Sequence, residues 1–275
     1  MTTIPSTQLI HGASMPALGL GTYPMNDDEA ANAVRAAVER GYRHFDTAEN
    51  YRNEAGVGRG VRECGLAREE LFVTSKFNRE WHSVEGVRKA WRASTERMGL
   101  DHIDLLLIHW PNPDQDRYVD AFRGLLELLA DGSVRAIGVS NFKPSHLQRI
   151  VDETGEVPDV NQIQLSPYTT RRDSVAANIE HGVITESWSP IKAEGLLTDP
   201  VVLEIAEQVG RTPAQTVLRW HVQQGLVPLP KTSTPERMVE NAAIFDFALD
   251  DQQLAALSAL DKGHRAAEDS DTFGH

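Results

Sequence analysis

Apolar and polar residues follow two periodicities that alternate along the chain. Short runs of apolar or β-branched residues, a pattern typical of strands, recur eight times and are separated by longer stretches. The predicted strands cover residues 17–20, 44–46, 71–76, 103–109, 134–140, 160–165, 183–187 and 226–229. The runs at 71–74 and 105–108 are almost continuously apolar, which indicates strands that are covered on both faces.

The longer stretches have helical spacing. Ala30, Val34 and Ala37, for example, fall on one side of a helix. Ser83 is a favourable N-cap for another helix, which Gly99 would end. Helices are predicted over residues 28–40, 83–98, 118–131, 145–153, 173–181, 200–208 and 213–223, the last with proline in its first turn.

Strands that alternate with helices predict a parallel sheet, and eight such units without a long linker predict a closed α/β barrel, the (β/α)8 TIM barrel. A doubly wound sheet, the alternative, would be expected to carry a GxGxxG turn after its first strand. The only candidate there is Gly19-Leu20-Gly21, and Pro24 stands where the third glycine would be. The doubly wound alternative is therefore weak.

A chain of 275 residues suits one barrel, so residues 1–275 are predicted to form a single domain. Residues 8–15, with a turn at His11-Gly12, are predicted to form a short hairpin before the barrel. The polar residues 263–275 are predicted to form a C-terminal tail, with a loop over the active site.

The formal net charge is −13, which argues against nucleic-acid or anionic-membrane partners. Any phosphate-binding site must then be a local group of basic residues. The single cysteine, Cys64, excludes an intrachain disulfide and a CxxC motif, and no metal site is expected. The N-terminus lacks a signal-peptide pattern and no stretch reaches the roughly 18 apolar residues of a spanning helix, so the cytoplasm is the expected location.

Chemically useful side chains follow three successive predicted strands. The second strand ends on Asp46, the third on Lys76 and the fourth on His109, while Tyr51 lies five residues after Asp46. Because the active site of a barrel lies at the C-terminal ends of its strands, these four side chains are predicted to meet there.

The four residue types suit acid catalysis. A tyrosine has an ordinary pKa near 10, which a nearby cation such as Lys76 would lower. Asp46 could hold the buried Lys76 ammonium, and His109 could orient a carbonyl oxygen. Such an acid typically contributes about 10² to 10⁴ in rate. Taken singly, the four could instead be a helix cap, a packing residue, a surface charge and a core histidine; their occurrence together favours a catalytic site.

Three segments of the sequence resemble known signatures of one enzyme family. The first is Gly41-Tyr42-Arg43-His44-Phe45-Asp46-Thr47-Ala48, followed by Tyr51, Glu54 and Gly58. The second comprises residues 98–100 and 104–111, and the third is Leu229-Pro230-Lys231-Thr232 with Arg237, Glu240 and Asn241. These segments resemble the aldo-keto reductases, and the resemblance covers about residues 5–262. The run Glu186-Ser187-Trp188-Ser189-Pro190 is most similar to the bacterial 2,5-diketo-D-gluconic acid reductase branch.

The resemblance implies a barrel that binds NADPH without a Rossmann fold and reduces aldehydes or ketones, such as α-dicarbonyls or keto sugars. It implies that Asp46, Tyr51, Lys76 and His109 are a catalytic tetrad in which Tyr51 donates the proton. The implied cofactor-binding residues are Thr22, Ser140, Asn141, Gln162, Trp188, Ser189, Pro190, Leu196, Lys231, Thr232, Ser233, Arg237, Glu240 and Asn241. Tyr23, Trp81, Trp110 and the tail near Phe273 are expected to line an apolar substrate pocket, in a protein expected to be a monomer.

The chain also departs from the family pattern. Thr232 replaces the commoner serine but keeps the hydroxyl, and residues 191–195 differ from the usual leucine- and glycine-rich loop. Two other hypotheses remain open: a Schiff-base lyase that uses Lys76 as nucleophile, and a cofactor-binding sensor without useful turnover.

Overall fold

The computed structural model of the chain describes residues 3–263 and 267–274, which contain ten strands and ten helices. The strands are β1 (Ser6–Gln8), β2 (Ser14–Pro16), β3 (Leu20–Gly21), β4 (His44–Asp46), β5 (Phe72–Phe77), β6 (Ile103–Ile108), β7 (Val134–Ser140), β8 (Val160–Gln164), β9 (Ile184–Trp188) and β10 (Val227–Leu229). The helices are α1 (Asp27–Val38), α2 (Glu54–Glu63), α3 (Val84–Met98), α4 (Tyr118–Ala130), α5 (Pro144–Thr154), α6 (Arg172–Glu180), α7 (Pro200–Val209), α8 (Pro213–Gln223), α9 (Pro235–Ala242) and α10 (Asp251–Ser258).

Strands β3 to β10 form a parallel sheet in which each strand pairs with the next one along the chain. The sheet closes on itself, because Gly19 N donates to Pro228 O at 3.2 Å and Gly21 N donates to Pro230 O at 3.3 Å. A parallel bridge between Gly21 and Lys231 completes the closure. The predicted (β/α)8 barrel is confirmed.

The predicted hairpin closes the N-terminal end of the barrel. Strands β1 and β2 pair antiparallel, with Thr7 opposite Met15. In the turn between them, His11 bonds the buried Asp159 carboxylate through its backbone N at 2.9 Å and its ring Nδ1 at 3.0 Å. The same carboxylate accepts from Ile137 N at 2.9 Å, so it ties the hairpin to the strands.

The barrel interior changes from apolar to polar along the strands. Near their N-terminal ends, Phe72, Leu105, Ala136 and Val160 form one buried cluster with Met15 of the hairpin. Because alternate residues of a strand face the same side, the following inward positions can be read from the sequence. On β4, β5, β8 and β9 these positions carry buried polar side chains, namely His44, Asp46, Thr74, Lys76, Gln162 and Glu186. The interior therefore supplies a polar site at the C-terminal ends of the strands.

Several elements differ from the sequence-based prediction; one is helix α10, which the predicted helices do not include. Strand β3 is Leu20–Gly21 rather than 17–20, since Ala17 N bonds Pro5 O beside the hairpin. Strand β9 extends to Trp188. Helix α2 was not predicted, because its glycines have low helix propensity. They are required for packing: a Cβ on Gly58 would lie 1.9 Å from Met98 O of α3.

The C-terminal segment covers the top of the barrel. Both Asp269 and Asp271 accept hydrogen bonds from Lys143 Nζ at the start of α5, and the Phe273 ring lies 4.8 Å from the Trp110 ring. The predicted loop over the active site is thus present in residues 267–274. Residues 264–266 and 275 of the predicted tail lie outside the described residues.

None of the helices within residues 3–263 and 267–274 is long and apolar enough to cross a membrane.

His82 gives the fold a specific sensitivity to acid. It is buried, its ring stands edge-on to Phe77, and burial together with the Arg117 charge lowers its pKa from 6.5 to about 4. The folded state thus favours the neutral ring, and the stability that depends on it is lost as the pH falls from 6.5 toward 4. Between pH 6.5 and 5 the free energy of unfolding should fall in the wild type. We expect this fall, measured by urea unfolding, to be about 2 kcal/mol smaller in His82→Phe. Equal losses in both proteins would contradict this assignment.

Candidate active site

Asp46, Lys76 and Tyr51 meet at the C-terminal end of the barrel. Lys76 Nζ lies 2.7 and 2.8 Å from the two carboxylate oxygens of Asp46, 2.9 Å from Thr47 O and 3.3 Å from the hydroxyl of Tyr51. Strands β4 and β5 are neighbours in the sheet, and alternation directs both Asp46 and Lys76 inward. The ammonium is fully buried, and its three N–H groups have acceptors in all these directions.

A tightly held loop places Tyr51 above the ion pair. Residues 49–51 form a 3-10 turn, and Arg52 follows with φ 57°. The buried Asn53 then anchors the loop, since its Nδ2 donates to Met25 O at 2.9 Å and its Oδ1 accepts from Thr47 Oγ1 at 2.6 Å. The ring of Tyr51 is fixed before any substrate enters.

Burial and charge act on the Tyr51 phenol in opposite directions. Burial raises its pKa above 10, while the Lys76 ammonium lowers it, and burial prevails. Lys76 therefore lowers the pKa of Tyr51, as predicted, but the net shift of that pKa is upward. Although burial lowers the pKa of Lys76, Asp46 and Tyr51 together outweigh it and the pKa is raised. At neutral pH the site holds a phenol with its proton and a charged ammonium.

His109 follows β6 and its ring lies beside that of Tyr51. The two rings meet edge-on with centroids 5.9 Å apart. The backbone of His109 is fixed because its N–H donates to Phe77 O at 3.1 Å and its carbonyl accepts from Asn141 Nδ2 at 3.1 Å. The structure thus brings all four predicted tetrad residues to one site.

Four of the predicted cofactor-binding residues lie side by side at the ends of β7, β8 and β9, namely Ser140, Asn141, Gln162 and Trp188. Asn141, with φ 63°, donates to Ser140 Oγ at 3.0 Å and accepts from Trp188 Nε1 at 2.9 Å. Ser140 Oγ in turn donates to Gln162 O at 2.9 Å. These hydrogen bonds fix the orientation of the Trp188 indole beside the tetrad.

Sequence reasoning missed Glu186, which lies fully buried beneath the tetrad. Gln162 Nε2 donates to Glu186 Oε2 and to Asp46 Oδ2, both at 2.9 Å. Burial and the nearby Asp46 charge raise the pKa of Glu186 to about 8. The signal in the sequence was a glutamate at an inward position of the predicted strand 183–187.

A basic group lies beside β10 and the start of α9. Lys231 and Arg237 are exposed, and no ion pair within residues 3–263 and 267–274 includes either of them. Helix α9 begins without a side-chain cap at Thr234, and Thr232 Oγ1 accepts from Thr234 N at 3.1 Å. Two cations beside an open helix N-terminus are suited to a phosphate group on this otherwise acidic chain.

The remaining predicted cofactor residues have varied surroundings. Thr22 is buried, and its hydroxyl donates to Asp46 O at 2.8 Å. The Glu240 carboxylate accepts from Thr212 Oγ1 at 2.6 Å, so one of its two oxygens already has a partner. Pro190, Leu196 and Asn241 are buried, Ser233 is exposed, and Ser189 is half-buried with φ 53°.

Aromatic side chains surround the entrance. Tyr23 is 57% exposed with its ring 5.0 Å from that of Tyr51, and Trp110 packs against Phe273 of the C-terminal segment. Trp81 Nε1 donates to the two oxygens of Glu49, both at 3.0 Å. Glu49, another residue missed in the sequence, therefore sets the position of one predicted pocket wall.

Comparison with known proteins agrees with this geometry. The model described as "Aldo/keto reductase family" matches residues 16–262. The chain belongs to the aldo/keto reductase family. It is 45% identical to the methylglyoxal reductase DkgA of Salmonella typhimurium over 97% of both chains, and 46% identical to 2,5-diketo-D-gluconic acid reductase B of a Corynebacterium species over 99% of both.

Solved structures of this aldo/keto reductase's relatives have the same fold. The crystal structure of Gox0644 in its apo form superposes with a TM-score of 0.94 at 38% identity, covering 99% of this chain and 100% of that one. A variant of Gox0644 was crystallised in complex with NADPH, with the same TM-score, identity and coverage.

The Asp46–Lys76 pair predicts a large stability effect for a single substitution. We expect Asp46→Asn to cost about 3–5 kcal/mol in urea unfolding, because it leaves a buried ammonium without its counter-ion. The double variant Asp46→Asn with Lys76→Met removes both charges and should recover most of the loss. A loss below about 1 kcal/mol in the single variant, the range of exposed pairs, would show that the ammonium is solvated.

Proposed function

We propose that this protein reduces aldehydes and ketones to alcohols with NADPH, and that Tyr51 donates the proton. The observation that carries the proposal is the buried Asp46–Lys76 ion pair whose ammonium donates to the Tyr51 hydroxyl. A carbonyl oxygen that gains negative charge needs a nearby proton donor in a site that water does not fill.

The residues present fit NADPH. Ser140, Asn141 and Gln162 would hold the carboxamide of its nicotinamide, and Trp188 would pack against the ring. Lys231, Thr232 and Arg237 would hold the 2′-phosphate, since two exposed cations and a hydroxyl lie beside the uncapped start of α9. When bound, NADPH supplies the hydride equivalent that reduces the carbonyl carbon.

The hydrogen bonds around Tyr51 determine where its proton goes. Lys76 Nζ donates to the hydroxyl oxygen, so that the Tyr51 O–H is free to donate elsewhere, toward a carbonyl oxygen at the mouth of the barrel. As charge builds on that oxygen the proton moves to it, and the phenolate left behind is stabilised by the ammonium. His109, which lies against the same ring, would donate a second hydrogen bond that orients the carbonyl.

The substrates we propose are small carbonyl compounds such as α-dicarbonyls and keto sugars. Relatives named as methylglyoxal reductase and 2,5-diketo-D-gluconic acid reductase support this class. Tyr23, Trp81 and Trp110 would surround the substrate. We also propose that the protein acts as a monomer, since one chain supplies the whole tetrad. Its proposed location is the cytoplasm.

The Schiff-base alternative is disfavoured by the state of Lys76. A nucleophilic lysine must lose its proton, whereas the Asp46 carboxylate raises the pKa of Lys76 and its N–H groups all have acceptors. The sensor alternative predicts cofactor binding without turnover, which the following experiment detects.

Replacing Tyr51 with phenylalanine removes the proposed acid and little else. We expect kcat for methylglyoxal reduction to fall by about 10² or more, while the Kd for NADPH, measured by protein fluorescence, changes less than about twofold. Turnover would be followed as NADPH consumption. Full activity in Tyr51→Phe would reject the acid assignment, and no turnover in the wild type on any small carbonyl would favour the sensor.

Arg237 tests the phosphate site. We expect Arg237→Ala to raise the Kd for NADPH about tenfold and to leave the Kd for NADH unchanged, because only NADPH carries the 2′-phosphate. Arg123, an exposed arginine that pairs with Asp120 on α4, provides a matched control whose alanine variant should bind both nucleotides normally. Equal weakening of NADPH and NADH in Arg237→Ala would contradict the assignment.

A further inference from the structure

A second carboxyl group lies inside the barrel below the tetrad, and the mechanism above does not use it. Glu186 is on β9, directly opposite Gln162 of β8 in the sheet register. Its side chain is fully buried, and its Oε2 accepts from Gln162 Nε2 at 2.9 Å. The other N–H of the same amide points to Asp46 Oδ2, also at 2.9 Å. One amide group thus bridges the two carboxyl groups.

The charges around this bridge do not balance if both carboxyl groups are ionised. The titratable groups that face Glu186 are Asp46 and His44 from β4 and Lys76 from β5, while its sheet neighbours contribute the neutral Gln162 from β8 and only apolar residues from β10. Burial lowers the pKa of His44 to about 4, which leaves that ring neutral. Within the part of the chain that the structure describes, Lys76 is then the single cation that faces the two acids.

The geometry decides which acid carries the charge. Both oxygens of Asp46 lie within 2.8 Å of the Lys76 ammonium, which requires an ionised carboxylate. Glu186 Oε1, by contrast, has no hydrogen-bond partner within the described residues, and Nε2 of the neutral His44 ring lies 3.6 Å from it. A buried carboxylate with one oxygen unpartnered and no cation bonded to it is costly, so Glu186 is the group that keeps a proton.

We propose that Glu186 is a positioning residue of the active site. As a neutral acid it accepts one N–H of Gln162 and thereby directs the other N–H to the Asp46 carboxylate that holds Lys76. When Glu186 ionises at alkaline pH, its negative charge opposes the formation of the Tyr51 phenolate. The kinetic part of this inference rests on the proposed function; the protonation state of Glu186 does not.

Ionisation of Glu186 should shift the pH profile of alcohol oxidation in one direction. Oxidation of an alcohol, the reverse reaction, requires Tyr51 to accept a proton and so depends on its phenolate form. In the wild type, the charge on Glu186 develops near pH 8 and raises the pKa of Tyr51 further. In a variant that lacks this charge, the rate of alcohol oxidation should reach its plateau at a lower pH than in the wild type.

The first experiment measures Glu186 directly in the protein without cofactor. In protein labelled with ¹³C at its glutamate carboxyl groups, we expect one NMR signal to titrate near pH 8 and to be missing from Glu186→Gln. Glu186→Asp, which also removes the labelled group, assigns the signal if the glutamine variant does not fold. A glutamate 186 signal that titrates below about pH 6 would overturn the proposal.

The second experiment compares pH profiles of NADP⁺-dependent alcohol oxidation. For each protein, the oxidation rate at pH 8 is divided by that protein's own plateau rate at high pH. We expect this fraction to be about threefold larger in Glu186→Gln than in the wild type. Glu186→Asp keeps an ionisable group and should restore the wild-type profile. Glu54→Gln is the matched control: Glu54 is also buried, but it bonds Ser75 and Arg97 rather than Gln162, so its profile should not move.

The two possible failures are distinguishable. A wild type without turnover would reject the proposed function and leave the NMR titration as the test of Glu186. A wild type with normal turnover whose profile superimposes on that of Glu186→Gln would reject the positioning role of Glu186 alone.

Discussion

The buried ion pair between Lys76 and Asp46 is the interaction on which the rest of the site depends. An ammonium inside a barrel is tolerated only when its N–H groups are satisfied and its charge is matched. Asp46 and Thr47 O satisfy two directions, and the Tyr51 hydroxyl accepts in the third. The same requirement that makes the lysine stable inside the protein therefore fixes the phenol and orients its proton, so folding and catalysis share one set of contacts.

The barrel makes this arrangement possible because parallel neighbours deliver side chains to one end. Inward positions of β4, β5, β8 and β9 carry Asp46, Lys76, Gln162 and Glu186, and the apolar cluster around Met15 closes the opposite end. Polar groups can occupy the upper interior because each is bonded to the next, from Glu186 through Gln162 and Asp46 to Lys76. The tetrad is thus the outer end of a longer buried chain of hydrogen bonds.

Periodicity was sufficient to predict the barrel, because strands covered on both faces and amphipathic helices leave clear patterns. The positions of Asp46, Lys76 and His109 at the ends of predicted strands were sufficient to predict that they meet. Other features could not be predicted, because they depend on contacts between distant segments. Helix α2 contains three glycines that argue against a helix locally and are required where Gly58 approaches Met98 O. The opposing effects of burial and Lys76 on the pKa of Tyr51, and the amide bridge to Glu186, likewise exist only in the folded protein.

A raised pKa at Tyr51 is compatible with acid catalysis rather than opposed to it. A reductase needs a donor that retains its proton until negative charge develops on the carbonyl oxygen, and a buried phenol at neutral pH does so. The ammonium 3.3 Å away then matters most after the proton has left, since it stabilises the phenolate more than the phenol. Burial keeps the acid protonated in the resting protein and Lys76 lowers the cost of using it, so the two opposing influences act at different stages of one reaction.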